Sequence, residues 1–279
     1  MSGERGDSGR ESGFAGRESD VDGRESGFEA GAFVTSRGVR VPAVTAGAMR
    51  EVDRVAVEDV GLPLLSMMEN AGRNLAKASR AVVGGQPRSA VVVAGGGGNG
   101  GGGLAGARHL ENHGTDVTVV VDRPRDDLDG APRQQANALD GTDATIVDGE
   151  DAVQVAIDAV LDVDVVVDAL VGYGLTDALE RTAGDLAQVI DQGAKRALSL
   201  DVPSGFDATT GVAPGRAVHP DATLTLALPK TGLDAVPGDL LLGDIAIPAG
   251  VYEQAGVPAP TPDVFGAEYV VALATVDGE

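Results

Sequence analysis

The chain has 279 residues, is 43% hydrophobic, and sets 43 acidic against 21 basic side chains for a formal charge of −22. A surface this negative repels nucleic acid and anionic membranes, so neither is an expected partner. With no cysteine and only three histidines (His109, His113, His219), disulfides and thiolate catalysis are excluded and a His-rich zinc site is not expected.

No apolar run approaches the length of a membrane-crossing helix, and the N-terminus lacks a signal-like apolar segment, so a cytoplasmic location is expected. The only lysines are Lys77, Lys195 and Lys230. Acids spread along the chain, scarce lysine and few aromatics suit a halophilic protein, because concentrated salt screens self-repulsion. A mesophilic protein with an acidic partner-binding surface is the alternative.

Gly-Arg-Glu-Ser recurs at Gly9, Gly16 and Gly23. The period is that of a coiled coil, but no apolar seam accompanies it and glycine recurs in every repeat. Residues 1–38 are therefore expected to be a disordered acidic tail, with one domain over 39–279. From Thr45, a plausible N-cap, Met49, Val52, Val55 and Ala56 share a helix face. A second helix follows Pro63, with Leu64, Met68, Ala71, Leu75 and Ala78 in register and Glu69, Asn70, Arg73 and Lys77 opposite.

Apolar, β-branched runs then predict strands at 90–94, 116–121, 144–147, 164–168, 196–200, 222–228 and 240–247, with helices between the earlier ones, such as 151–161. Continuous apolar strands alternating with helices imply an α/β fold: a Rossmann-like three-layer α/β/α sandwich with a mostly parallel central sheet. Ligands of such sheets bind beyond the carboxyl ends of the strands.

Three strand ends carry chemistry. After 91–94 comes Gly95–Gly103, eight glycines and Asn99, expected to be a loop leading into a helix from Leu104. Such a loop lets backbone N–H groups approach an anion, and adjacent glycines reach φ > 0 and form a nest. The other two are Asp168-Ala169-Leu170 with the glycine turn after it, and Asp201-Val202-Pro203-Ser204-Gly205. Singly, each aspartate is explained by capping its own turn. Together, the Asn99 amide, Asp168 carboxylate and Ser204 hydroxyl form an oxygen-only set that suits a hard cation such as an alkali ion. Gly95-x-Gly97-x-x-Gly100 formally matches a dinucleotide fingerprint, with Asp122 where a ribose-binding acid would stand. In a glycine run that match is nearly automatic.

The ordered blocks Met68-Glu69-Asn70-Ala71-Gly72, Gly-Asn-Gly-Gly running into Ala107-Arg108-His109-Leu110, Asp168-Ala169-Leu170, Asp201-Val202-Pro203-Ser204-Gly205 and Pro229-Lys230-Thr231-Gly232-Leu233 resemble the YjeF N-terminal domain. This is the NAD(P)H-hydrate epimerase family, and the resemblance covers about residues 42–248. It implies interconversion of the R and S forms of hydrated NADH and NADPH (NADHX and NADPHX), a nicotinamide nucleotide repair step that serves a dehydratase. It implies a potassium ion held by Asn99, Asp168 and Ser204. Substrate contacts would come from Gly98, Asn99, Gly100, Gly101 and Gly102, from Gly172, Tyr173, Gly174, Leu175, Thr176, Asp177 and Ala178, and from Asp201. It also implies a homodimer, to which the Met67-Met68 helix is a candidate contributor, although Met in a helix stripe is more often core.

Asp201 is the candidate catalytic acid–base. Lys230 either contacts a phosphate or is a solvated strand-end lysine. The family pattern Asn-Asn-Gly-Gly-Asp-Gly is altered here, with Gly98 for the first Asn and Gly102 for the Asp. Either neighbouring acids compensate, or the chain binds its ligand without turning it over, as a nucleotide-binding or scaffold module. A Rossmann dehydrogenase using Asp122 leaves the Asp-Val-Pro-Ser-Gly segment unexplained. About 30 residues follow the span of the resemblance, fewer than a dehydratase domain needs, so a separate dehydratase is expected.

Overall fold

The computed structural model describes residues 27–276 apart from Thr176. In chain order its strands are β1 (Phe28–Thr35), β2 (Arg40–Val44), β3 (Ser89–Ala94), β4 (Asp116–Val121), β5 (Thr145–Asp148), β6 (Val165–Ala169), β7 (Ala197–Leu200), β8 (Ala222–Leu226), β9 (Asp239–Gly243) and β10 (Val270–Thr275). The helices are α1 (Ala46–Arg54), α2 (Leu64–Val83), α3 (Gly98–Glu111), α4 (Gly130–Ala138), α5 (Ala152–Ala159), α6 (Arg181–Gly193), α7 (Ala249–Gln254) and α8 (Pro262–Phe265).

All ten strands form one sheet in the order β2-β1-β10-β9-β8-β7-β6-β3-β4-β5. From β9 to β5 every pairing is parallel. The β-branched runs form strands here because both faces are covered. Val92, Ala94, Val119 and Val121 pack with Leu75, Leu104 and Leu110 of α2 and α3. Val91, Val93 and Val166 face the other way, onto Ala156, Leu186 and Ile190 of α5 and α6. A strand buried on both faces cannot alternate polar and apolar residues, which is why these runs are continuous.

The expected parallel strands appear with boundaries shifted by a few residues. Thr45 caps α1 by accepting the Ala48 N–H at 3.2 Å, and Met49, Val52, Val55 and Ala56 are buried. A π-helical turn, Val55–Asp59, continues α1.

Two expectations are corrected. Residues 1–38 are not all tail: β1 pairs antiparallel with β2 and β10 inside that span, and Phe33 is fully buried. The repeat's glycine-rich composition masks the strand, which is paired on one side with β2 and on the other with distant β10. Residues 1–26, which hold the Gly-Arg-Glu-Ser repeats, lie outside the described residues.

The glycine segment is the second correction. Gly98–Gly103 is the start of α3, and only Gly95–Gly97 lead into it. None of the glycines from 95 to 103 has positive φ, so no nest forms. Packing demands glycine at several of these positions instead, though not at Gly97 or Gly98. A Cβ on Gly100 would lie 1.7 Å from the Gly95 carbonyl oxygen, and one on Gly103 2.4 Å from Ala169 Cβ. Poor helix propensity, about 1 kcal/mol per glycine, is overridden by this close seating of α3 on β3 and β6.

Candidate active site

From β3 the chain moves outward to β4 and β5, then returns to the other side of β3 as β6. That reversal leaves a crevice beyond the strand ends, the place where such sheets bind ligands. A cleft of about 420 Å³ lies there. Its walls include Gly96–Gly98, Asn99 and Gly102 from the glycine segment, Gly172–Gly174, Asp201 and Lys230 from the strand ends, and Arg50, Asp53 and Met68 from α1 and α2.

Asp201 follows β7 in the left-handed region at φ 70°, which turns its carboxylate back across the strand ends. It accepts the Tyr173 N–H at 3.1 Å and the Leu226 N–H at 3.3 Å, and it pairs with the Lys230 ammonium. The Lys230 side chain is 1% exposed and that of Asp201 7%. Lys230 also donates to the Leu226 carbonyl at 3.0 Å and lies 5.5 Å from the Tyr173 ring centre. The solvated alternative for Lys230 is therefore corrected: the short loop after β8 folds its ammonium inward to neutralise Asp201.

Tyr173 connects this pair to a second carboxyl. Its hydroxyl donates to Asp53 Oδ2. Burial pushes the Asp53 carboxyl above the usual aspartate range, against the opposing effects of the Tyr173 hydrogen bond and the Lys230 charge. Burial and the Asp53 charge push the Tyr173 phenol up as well. Asp53 was not singled out by the sequence patterns, although its position carried a signal. It stands four residues after Met49 and three before Ala56, an acid on the apolar face of α1.

Asp168 is fully buried at the end of β6. Its oxygens accept from Ser204 Oγ at 2.5 Å, Ser199 Oγ at 2.8 Å, Ser204 N at 2.9 Å and Leu170 N at 3.2 Å. Burial, the largest influence, raises its carboxyl despite these bonds. Asn99 reaches the same strand ends from α3: a Cβ on Gly172 would lie 3.2 Å from its Oδ1 and 2.8 Å from Asp201 Oδ2. The Asn99 amide nitrogen is buried with no hydrogen-bond partner. An amide flip puts oxygen at that position without losing a bond. Asn99, Asp168 and Ser204 are oxygen donors of the kind that suits a monovalent cation, with Asn99 at the cleft and the oxygens of buried Asp168 already accepting from Leu170, Ser199 and Ser204. Among the described residues no group of three or more His, Asp or Glu side chains is placed to hold a metal ion.

Of the residues expected to contact substrate, Gly98, Asn99, Gly102, Gly172, Tyr173, Gly174 and Asp201 line the cleft. Gly100 and Gly101 are buried within α3, away from its wall. Leu175, Asp177 and Ala178 continue the turn outside the lining, with Asp177 and Ala178 exposed. Thr176 lies outside the described residues. Asp168 and Ser204 are buried and do not line the cleft. Met67 and Met68 are buried core that also forms the cleft wall, so they offer no exposed dimer surface. Asp122 closes β4 in a two-pronged ion pair with Arg123 (2.8 and 3.1 Å) at the cleft.

The Glu-Asn-Ala-Gly block buttresses the site. Glu69 accepts from Arg108 and from Gln135 Nε2 (3.0 Å). Burial raises the Glu69 carboxyl, but the Gln135 and Arg108 bonds outweigh it and hold the group below its usual range. Asn70 donates to the carbonyl of Ile245, a cleft residue, at 3.3 Å. Gly72 lets α3 approach, since a Cβ there would lie 2.6 Å from both Ala105 Cβ and the Gly106 nitrogen.

Residues 64–232 match the model of the family described as YjeF-related protein N-terminus. An NAD(P)H-hydrate epimerase of Dehalogenimonas lykanthroporepellens is 42% identical over 228 residues, which is 81% of this chain and 90% of that protein. A bifunctional NAD(P)H-hydrate repair enzyme of Salinibacter ruber is 38% identical over 229 residues, covering 77% of this chain and 42% of that longer protein. Among solved structures, yeast ynu0 superposes with a TM-score of 0.70 at 20% identity over 82% of this chain and 99% of its own, a likeness of fold. The chain belongs to the YjeF-related N-terminal family.

Proposed function

We propose that this protein is an NAD(P)H-hydrate epimerase, an isomerase that interconverts the R and S forms of hydrated NADH and NADPH. The observation that carries the reading is the cleft. In a chain 42% identical to a protein of that name, it brings two carboxyl groups, Asp53 and Asp201, beside the glycine start of α3. The helix N-terminus, together with Arg50 and Arg123 in the lining, suits the substrate's phosphates. Asp201 is positioned by Lys230 to act on the nicotinamide hydrate.

Asn99, Asp168 and Ser204 would hold potassium. Bound there, the ion supplies a fixed positive charge near the strand ends. Repair of the hydrated nucleotide then needs a dehydratase, in a cytoplasm rich in salt, and the active form is a homodimer.

Incubating (R)-NADHX with the protein in molar KCl and H₂¹⁸O, followed by chromatography and mass spectrometry, tests the reading. Acceleration of epimerisation over a protein-free blank, with ¹⁸O entering the ring hydroxyl, supports it. A folded protein that matches the blank overturns it. Gly102, where the family pattern has an aspartate, favours a second reading as a non-catalytic nucleotide-binding module. Saturable NADHX binding without turnover is its signature.

A further inference from the structure

We infer that Asp53 is the general acid for departure of the ring hydroxyl, paired with Asp201 as the base, and that Tyr173 fixes the two carboxyl groups relative to each other. This rests on the epimerase reading and deepens it. Three observations on the geometry carry the assignment. Asp53 lines the cleft from α1 while Asp201 lines it from the end of β7, so two carboxyls approach one space from different elements. Their environments differ: Asp201 is charge-paired with buried Lys230 and takes two backbone N–H groups, whereas Asp53 takes the Tyr173 hydroxyl. The same Tyr173 gives its hydroxyl to Asp53 and its backbone N–H to Asp201, which fixes one carboxyl relative to the other.

A site keeps a carboxyl as an acid by giving it surroundings that favour its protonated form. Burial raises the Asp53 carboxyl, which favours its protonated form. The charged and titratable groups around it are Lys230 and Asp201 from the strand ends, Tyr173 from the turn after β6, Tyr252 from α7 and Arg50 on its own helix. Lys230 opposes the rise and Asp201 adds to it.

The step balances. Asp53 gives its proton to the ring hydroxyl as the C–O bond breaks, and water leaves. The ring nitrogen lone pair forms the C=N bond of an iminium. Water adds to the opposite face, its electron pair making the new C–O bond while the C=N pair returns to nitrogen. The proton lost by that water goes to Asp201. Asp53 is now ionised and Asp201 protonated, which is the starting state for the reverse reaction, and exchange with solvent resets both. Nothing is oxidised or reduced. A carboxyl on α1 also accounts for turnover by a chain whose glycine segment has lost its own.

The test measures kcat, KM and pH profiles of epimerisation for the full chain and for Asp53→Asn and Tyr173→Phe, with unfolding midpoints recorded for each. Asp53→Asn is expected to lower kcat by about 100-fold or more, the usual scale of general acid catalysis, with KM within threefold. The wild-type rate should fall as pH rises through the Asp53 titration, and Asp53→Asn should lose that limb. Tyr173→Phe should keep the limb and move it to higher pH, because the lost hydrogen bond favoured the carboxylate. An active wild type whose Asp53→Asn variant, folded, keeps its kcat or its limb overturns the inference. So does an equal loss in both variants with no change in pH profile, since that marks Asp53 as merely holding Tyr173. A wild type with no activity overturns the epimerase reading itself, and the two failures are thereby distinct.

Discussion

Lys230 neutralises Asp201 inside the protein. Its ammonium is enclosed by that carboxylate, the Leu226 carbonyl at 3.0 Å and Thr225 Oγ1 at 3.4 Å. An ion pair this deep contributes little net stability but is costly to break, because the surviving partner keeps a buried charge. Lys230→Met is expected to cost about 3–5 kcal/mol in denaturant unfolding. Lys230→Met combined with Asp201→Asn should recover much of it. A single variant as stable as the wild type would show that Asp201 has found another partner.

Asp207 organises the turn after the Pro-Ser-Gly segment. Its Oδ1 accepts from Thr209 N at 3.0 Å, Thr210 N at 2.7 Å and Thr210 Oγ1 at 2.8 Å. Burial raises its carboxyl, yet these bonds outweigh that effect and hold it below the usual value of 3.8. A depressed folded value means that the carboxylate stabilises the fold above the unfolded value and loses that contribution as pH falls through the folded one. Asp207→Ala is expected to cost about 1–2 kcal/mol at neutral pH, as for loss of a helix cap. The gap from wild type should narrow below about pH 4. Urea titrations between pH 3 and 7 measure it, and a gap independent of pH would refute the assignment.

Gly72→Ala tests the α2–α3 seam. The added methyl meets backbone atoms of Ala105 and Gly106 at 2.6–2.7 Å, contacts that no rotamer change relieves. Separation of the helices should cost about 1–3 kcal/mol, the scale of overpacking. The cleft should loosen with it, since Met68 and Ala71 on α2 and Asn99 and Gly102 on α3 form its walls. Thermal unfolding and substrate KM read the two effects. An unchanged midpoint would mean that the helices are not packed this closely.

The charge of −22 predicts a salt-dependent fold. Raising salt from 0.1 to 2 M shortens the screening length from about 10 Å to below 3 Å, so the unfolding midpoint should climb in both LiCl and KCl. Each kcal/mol of repulsion relieved is worth about 2–4 °C. An additional rise in KCl over LiCl, absent in Ser204→Ala, is expected if potassium occupies the donor set. Identical curves in both salts would remove the cation from the proposal and leave the screening argument standing.

The sequence by itself determined the parallel half of the sheet and the places where chemistry would gather. Runs such as Val91-Val92-Val93 and Val165-Val166-Val167 suit only strands covered on both faces, and a polar residue ending such a run marks the strand end near which ligands of such sheets bind. Asp168 and Asp201 stood out for that reason; Asp201 lines the cleft, whereas Asp168 is fully buried behind it. The antiparallel edge was not legible: β1 is held between β2 and β10, and its pairing with β10 spans most of the chain, which no local pattern encodes. Nor was the helical state of Gly98–Gly103, since propensity argues against it and only the contacts with Gly95 and Ala169 require it. Tertiary structure alone decided what each acid faces. It placed Asp53 beside Tyr173 and folded Lys230 onto Asp201, and the tendency of a carboxyl to hold or release a proton is set by such neighbours rather than by its place in the chain.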